Sequence, residues 1–477
     1  MIYLRRIIGC GFLKACVLVF FLFISFSCSD FLSNIENKTV EETLKKEGVE
    51  YVFDEEALPV INIQVSSYDW NELLEKYDMN KDIRDYIQCN FSFTKGADKS
   101  IISDAGVRLH GNTSRRRPEG AIGEKHDSGG GKFNHSHYMV NLRKYVKDDL
   151  HELQGVRKII FKWFHNDPSY VREIYCYDLF RRYGIWTIAN SSYCRMFIQV
   201  DDEAPVYLGV YGMFEAVDKQ YLKRRKNLFE GSSGFLWKCV GVGLNDITDD
   251  LFFVDDNSTD VHLYELKEDV EEFNAAKKQF KHFISNFQNL TGKEFVDWIS
   301  SVCDVEFLLK TYAVNVACGM WDDYWNNSNN FYVYFNSKDS EDYKFFFIPY
   351  DYDESLGRTS ACGVQKDAVT HNPIKWGKTE NNLISKLIEY PAFRKIYIEA
   401  LHELATSGNG FLEYNSSIVR ISKWHDLVGP YVSNDTGQDM VIEDVPGMFS
   451  DQQDYKLWEP GRMNFFNVKC ETLLKVE

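Results

Sequence analysis

The sequence predicts an α+β fold, mostly antiparallel sheet first and a helical lobe afterwards. Short alternating apolar runs separated by turn residues occupy the first half of the chain. Helical periodicity then fills 264–318, where Phe273, Phe280, Phe283, Phe307, Leu308 and Tyr312 recur on one face, and returns near 381–406 and 411–428. Between these helical stretches stand two aromatic runs, 331–335 and 345–350, that read as a buried hairpin.

Taken in order, 58–65 alternates as a strand should, and Ser67 and Asp69 then start a helix through Trp70, Leu73 and Leu74. Strands are expected at 87–93, 106–110 and 138–142, with a Gly/Arg/His-rich loop at 111–137 before the last. Loops that long in a folded domain usually serve a function. A strand at 158–163 leads to a helix at 171–183 ended by Gly184. Two strands, 194–200 and 206–215, are joined by the turn Asp201-Asp202-Glu203-Ala204-Pro205, and 234–240 adds a short one. The acidic segment 241–259 reads as a loop.

The chain has 477 residues, 44% hydrophobic and 15% aromatic, which excludes long-range disorder. Its formal net charge of −17 excludes nucleic acid and anionic membrane as general partners. An anionic ligand would need a local basic patch and a metal. At the N-terminus, Arg5, Arg6 and Lys14 flank an apolar stretch at 17–24 that is short for a membrane span. Ser25-Phe26-Ser27-Cys28 then resembles a bacterial lipobox. The expectation is a lipoprotein signal over 1–28 with Cys28 lipidated, and a polar tether over 29–57; a plain secretory signal or single anchor helix is the alternative. Beyond the leader, eight cysteines show no Cys-x-x-Cys spacing, so a zinc site is unsupported.

Chemistry concentrates in three places. Arg108-Leu109-His110-Gly111-Asn112-Thr113-Ser114-Arg115 runs a strand into a turn whose amides and guanidinium groups suit a phosphate, with Arg108, Asn112, Ser114 and Arg115 as candidate contacts. Lys162, Glu215 and Lys238 each sit in or end a predicted strand, and a Lys–Glu pair of this kind holds α and β phosphates in protein kinases. Which lysine would pair with Glu215 is open from sequence. Most specific are two acidic clusters. Asp322-Asp323 with Asn327, Asn329 and Asn330 precedes the first aromatic run, and Asp351 and Asp353 follow the second. A hairpin would bring both to one sheet end, where carboxylates and amides hold a divalent cation shared with a polyphosphate. Asp322 and Asn327 have the Asp-x-x-x-x-Asn spacing of a kinase catalytic loop, although no His-Arg precedes Asp322 and Asp351-Tyr352-Asp353 is not Asp-Phe-Gly. A calcium site built from the same carboxylates, in a catalytically silent surface-binding lipoprotein, is the competing reading.

Four motifs in order resemble the spore-coat protein H (CotH) kinase family. They are 106–115; Tyr207-Leu208-Gly209-Val210-Tyr211 with Glu215; Trp321-Asp322-Asp323-Tyr324 with Asn329-Asn330-Phe331-Tyr332; and Ile348-Pro349-Tyr350-Asp351-Tyr352-Asp353 with Leu356-Gly357. The resemblance implies an atypical protein-kinase-like fold that binds ATP with Mg²⁺ and phosphorylates secreted or surface proteins. By carry-over, Asp322 or Asp323 is the catalytic aspartate; Asp351 with Asp353 binds metal, Asn327 and Asn330 helping. It also implies an exported lipoprotein, lipid-anchored at the outer membrane or cell surface of a Gram-negative bacterium, acting on an unidentified surface or secreted protein. The implied organisation is a β-rich segment at 58–105, the kinase-like domain at 106–430 and a packed extension at 431–477. The chain departs from the family pattern at Asn141, where a basic residue is common and Arg143 or Lys144 is the nearest substitute, and in its long insertion at 120–137.

Overall fold

Strand β1 (Val60–Val65) alternates buried and half-buried residues, and it is paired on both edges. One neighbour is β2 (Ile87–Lys95), antiparallel; the other is β6 (Ser191–Val200), parallel and some 130 residues away in sequence. Between β1 and β2 lies α1 (Ser67–Met79), capped by Ser66 Oγ, which accepts from the Asp69 amide at 3.0 Å. The computed structural model describes residues 48–477 except 113, 166, 255–262, 359–366, 381 and 446–454. The expected leader with Cys28, and most of the expected tether, lie outside the described residues. Residues 48–52 are helical, and Phe53–Glu477 forms one compact unit.

β3 (Asp98–His110), β4 (His137–Asn141), β5 (Lys158–Trp163) and β7 (Val206–Glu215) complete a closed barrel in the order β1-β2-β3-β4-β5-β7-β6. The architecture is thus mixed α+β, and the sheet closes on itself through the parallel β1–β6 pair rather than staying open. β3 runs unbroken across the expected boundary at 105/106. Between β5 and β6, α2 (Arg172–Arg182) is buried nearly all round, as a helix running through a core must be. Its charges are satisfied internally: Arg172 pairs with Asp167, and Asp178 accepts from Arg182 at 2.7 Å and Arg420 at 2.6 Å.

A short helix, α3 (Lys219–Arg224), capped by Asp218, leads to a second sheet. This sheet contains β8 (Phe235–Val240), β9 (Phe252–Phe253), β10 (Leu263–Leu266), β11 (Phe331–Phe335) and β12 (Phe345–Pro349), in the order β12-β11-β8-β10-β9. The segment expected to begin a helix at 264 is therefore strand β10, because four residues pair with β8 along their length. Helical structure follows as α4 (Phe273–Asn289), α5 (Gly292–Val302) and α6 (Val305–Ala317), which together make up most of the helical stretch expected from periodicity. Asp304 separates the last two by accepting from the Phe307 amide at 3.0 Å. After α7 (Tyr324–Asn327), β11 and β12 form the predicted hairpin, with Phe331 opposite Pro349. Phe331 stacks on Phe347 at 5.3 Å, which pins this register by about 1 kcal/mol. The remaining helices are α8 (Leu383–Glu389), α9 (Pro391–Ala405), α10 (Tyr414–Val428) and α11 (Phe465–Leu474). Pro391 splits α8 from α9, since its ring suits a first turn and no later position. Among the described residues no helix is long and apolar enough to cross a membrane.

Candidate active site

One cleft of about 850 Å³ opens between the barrel and the face of the second sheet that carries Glu265, Lys238 and Tyr332. Cations dominate the barrel side, with Arg108, Arg115, Arg116, Lys158 and Lys162; the facing wall carries Glu265, Asp322, Asp351, Asp353 and Glu354 together with Lys238 and Lys267. Lys162 projects from β5 between two carboxylates, Glu173 Oε2 at 2.6 Å and Asp351 Oδ1 in direct contact. Burial opposes its charge, but Asp351 and Glu173 together hold its pKa well above the usual lysine range. Glu173 lies in the first turn of α2, and its Oε1 accepts the Tyr352 amide at 3.3 Å. One glutamate therefore ties the barrel lysine to the loop carrying Asp351 and Asp353.

The loop after α6 presents Asp322 and Asp323 to different surroundings. Asp323 is 3% exposed and turned inward: Oδ1 caps α7 by accepting from Asn326 N at 2.7 Å, and Oδ2 accepts from Asn315 and from Trp376 Nε1 at 3.1 Å. Asp322 faces the cleft, with Asn327 Nδ2 at 2.5 Å, Asn329 Nδ2 at 3.2 Å and Asn330 Nδ2 at 3.0 Å donating to it. Burial pushes both carboxyls up, Asp323 to about 7 and Asp322 to about 6, and the nearby Asp353 and Asp351 charges add to the rise at Asp322.

Asp351 (φ 64°) and Asn330 (φ 58°) both hold left-handed backbone, which costs a non-glycine residue on the order of 1 kcal/mol or more and is kept where a site needs it. Burial and the Asp351 charge raise Asp353 above the usual carboxylate range against the pull of Lys162. Asp351, Asp353 and Asn330 all line the cleft and would offer two carboxylates and an amide oxygen to a cation there. That donor set fits Mg²⁺, which keeps waters and completes its shell with phosphate oxygens. Among the described residues no group of three or more His, Cys, Asp or Glu side chains could hold a metal alone.

The CotH kinase protein family model matches residues 107–456. The chain belongs to the CotH kinase family. No curated protein matches it.

Within this CotH family member the other expected contacts fall into different places. Arg108, Asn112, Ser114, Arg115, Lys162 and Lys238 all line the cleft, as do Asn327 and Asn330. Gly111 makes the turn possible: at φ 89° it adopts left-handed backbone, and a Cβ would meet Ser114 Oγ at 2.6 Å. Arg115, however, is spent on the loop itself, donating to the carbonyls of Lys81 at 2.6 Å and Gly111 at 2.7 Å. Arg108 donates to the Leu109 carbonyl at 2.9 Å and leaves its Nε without a partner among the described residues.

Glu215 does not line this CotH cleft. It ends β7 clamped by Arg225 at 2.9 Å and by Arg224, with the Asn190 amide at 3.0 Å, and neither Lys162 nor Lys238 reaches it. Despite burial, those two guanidinium groups hold its carboxyl far below the usual range. Arg143 pairs with Asp149 at 3.3 Å, and Lys144 lies over the Tyr86 ring; neither lines the cleft. The glutamate that meets Lys162 is Glu173, which sequence reasoning passed over. Its signal was present: Arg172-Glu173 is a charged pair directly before the apolar and aromatic run Ile174–Tyr177, and buried charges need partners.

Proposed function

We propose that this CotH-family chain is an exported, Mg-ATP-dependent phosphotransferase that transfers the γ-phosphoryl group to hydroxyls of surface or secreted proteins. The observation that carries the reading is the Lys162–Glu173–Asp351 chain of contacts, with Lys162, Asp351 and Asp322 lining one cleft. A kinase-like site needs a lysine–glutamate pair, a metal-binding aspartate and an aspartate that receives the acceptor proton, all on rigid elements. Mg²⁺ would neutralise charge developing between the β and γ phosphates, held by Asp351 and Asp353 with Asn330. Asp322 accepts the hydroxyl proton as the acceptor oxygen bonds to phosphorus and ADP leaves. Asp323 is a positioning residue: its cap on α7 and its bonds to Asn315 and Trp376 fix the backbone from which Asp322 projects. Asn327 and Asn329 hold the Asp322 carboxylate in orientation. The barrel wall supplies positive charge to the phosphates, and Met139, Ile160, Ala216 and Leu266 supply apolar surface for a base.

The lipobox-like Cys28 supports a lipid anchor, which would place the enzyme at the outer membrane or cell surface of a Gram-negative bacterium. A calcium module is the weaker reading, because Ca²⁺ takes six to eight oxygens, typically from several carboxylates. The deciding experiment is incubation with γ-labelled ATP and Mg²⁺, alongside thermal stabilisation by Mg-ATP or by Ca²⁺ alone, in wild type and Asp351→Ala. Label transfer and Mg-ATP stabilisation, both lost in Asp351→Ala, support the proposal. Stabilisation by Ca²⁺ with indifference to ATP overturns it.

A further inference from the structure

Lys162 already holds two carboxylates, one of them the glutamate partner that a phosphate-holding lysine has in a kinase-like site. A different amine stands ready in the cleft. Lys238 on β8 lies directly opposite Tyr332 on β11 and Glu265 on β10, and opposed residues of antiparallel strands share a face. That face is the cleft wall. The natural counter-ion, Glu265, is taken by Lys267 at 2.5 Å and Arg84 at 3.4 Å. Among the described residues Lys238 Nζ has no hydrogen-bond or ion-pair partner; it stands only over the Tyr350 ring at 5.1 Å. Burial, with Arg84 and Lys267 close by and only partly offset by Glu265 and Asp351, depresses its pKa to about 8. In the order β12-β11-β8, Lys238 is two strand spacings, roughly 10 Å, from the strand that delivers Asp351. A polyphosphate anchored at Asp351 and Asp353 can cover much of that distance with its own oxygens and the lysine side chain the rest.

We propose that Lys238 is a second oxyanion ligand of the cleft, beside Lys162, for a non-transferred phosphate of the nucleotide. The assignment rests on the nucleotide reading of the cleft. The anion could instead arrive on an already phosphorylated acceptor, and the test separates the two sources.

Titration calorimetry on the full chain would compare wild type, Lys238→Met, Lys238→Gln and Lys238→Arg with Mg-ADP, adenosine, Mg-pyrophosphate and a phosphoserine peptide. The expected result is that the Met and Gln variants bind Mg-ADP and Mg-pyrophosphate at least about tenfold more weakly, bind adenosine as wild type does, and recover in Lys238→Arg. Two neutral variants guard against one failing to fold, and thermal midpoints report on that directly. Unchanged Mg-ADP affinity in both neutral variants overturns the proposal, as does an equal loss for adenosine, or a loss confined to the phosphopeptide. Wild-type binding of Mg-pyrophosphate through Lys238 without any nucleoside binding would overturn the nucleotide reading while leaving the oxyanion assignment standing.

Discussion

Replacing Glu173 by glutamine isolates the contact that organises the cleft. The amide still accepts the Tyr352 N–H that Glu173 Oε1 now receives at 3.3 Å, so the loop keeps its tether. What disappears is the carboxyl group 2.6 Å from Lys162 Nζ, whose pKa burial and the Asp351 and Asp353 charges raise against the pull of that lysine. A hydrogen bond between charged groups contributes about 1.5–3 kcal/mol, and Lys162 retains Asp351, so the stability loss should fall in that range rather than reach the 3–5 kcal/mol of a fully orphaned buried ion. For a unit of this size that is a fall in Tm of a few degrees, at about 1–2 °C per kcal/mol. The effect on binding is of similar size for another reason. In the variant Asp351 is the sole counter-ion of Lys162, so drawing it toward a metal strands a poorly solvated ammonium. The same 1.5–3 kcal/mol then appears as about 10- to 150-fold weaker Mg-nucleotide affinity. Calorimetry with Mg-ATP, paired with a melting curve, measures both. A folded Glu173→Gln protein that binds Mg-ATP within twofold of wild type would refute the idea that this glutamate keeps Asp351 available.

Other substitutions separate chemistry from scaffolding. Asp322→Asn should lower phosphoryl transfer by about 10²- to 10⁴-fold with Mg-ATP affinity nearly unchanged, as expected for loss of a proton acceptor; parallel loss of binding would argue against that role. Glu215→Gln should do the reverse, costing about 3–5 kcal/mol in denaturant unfolding through two orphaned arginines while the folded fraction keeps its nucleotide affinity. His126, between Glu119 at 3.0 Å and Glu203 at 3.2 Å, has a pKa raised by those carboxylates against burial. Its charge therefore stabilises the fold fully below about pH 6.5, and the contribution fades as pH rises through the elevated value. His126→Gln should accordingly lose Tm relative to wild type at pH 6 and converge on it by pH 9, and a gap independent of pH would contradict the assignment. Chelation of Mg²⁺ should abolish stabilisation by ATP without lowering the Tm of the nucleotide-free protein, since two carboxylates and an amide form no complete metal cage.

Features written in local pattern were legible in the sequence. The β11–β12 hairpin follows from two aromatic runs at strand spacing, and it brings Asp322 and Asp351 to one end of one sheet. Lys162 announced itself as a charge inside an apolar strand. What escaped depends on facts that spacing does not encode. Asp322 and Asp323 are chemically identical neighbours, and only the packing of Asn315 and Trp376 turns one inward. Glu215 ends a hydrophobic strand whereas Glu173 follows Arg172 at the start of a helix, and the choice between them rests on where α2 and Arg224–Arg225 lie in space. Arg115 carries the right charge in the right loop, but the carbonyls of Lys81, Ile83 and Gly111 engage both of its terminal nitrogens. Barrel closure pairs strands some 130 residues apart, for which no local signal exists.

The uninterrupted course of β3 bears on how the protein can be cut. A fragment trimmed to the family match would begin at residue 107, nine residues into that thirteen-residue strand. It would discard β1 and β2, uncovering the backbone edges of β3 and β6 and the apolar side chains Phe91 and Phe93 now cover. Such a piece should be sticky and inert even with every cleft residue beyond it intact. Recombinant work is better served by starting near Phe53.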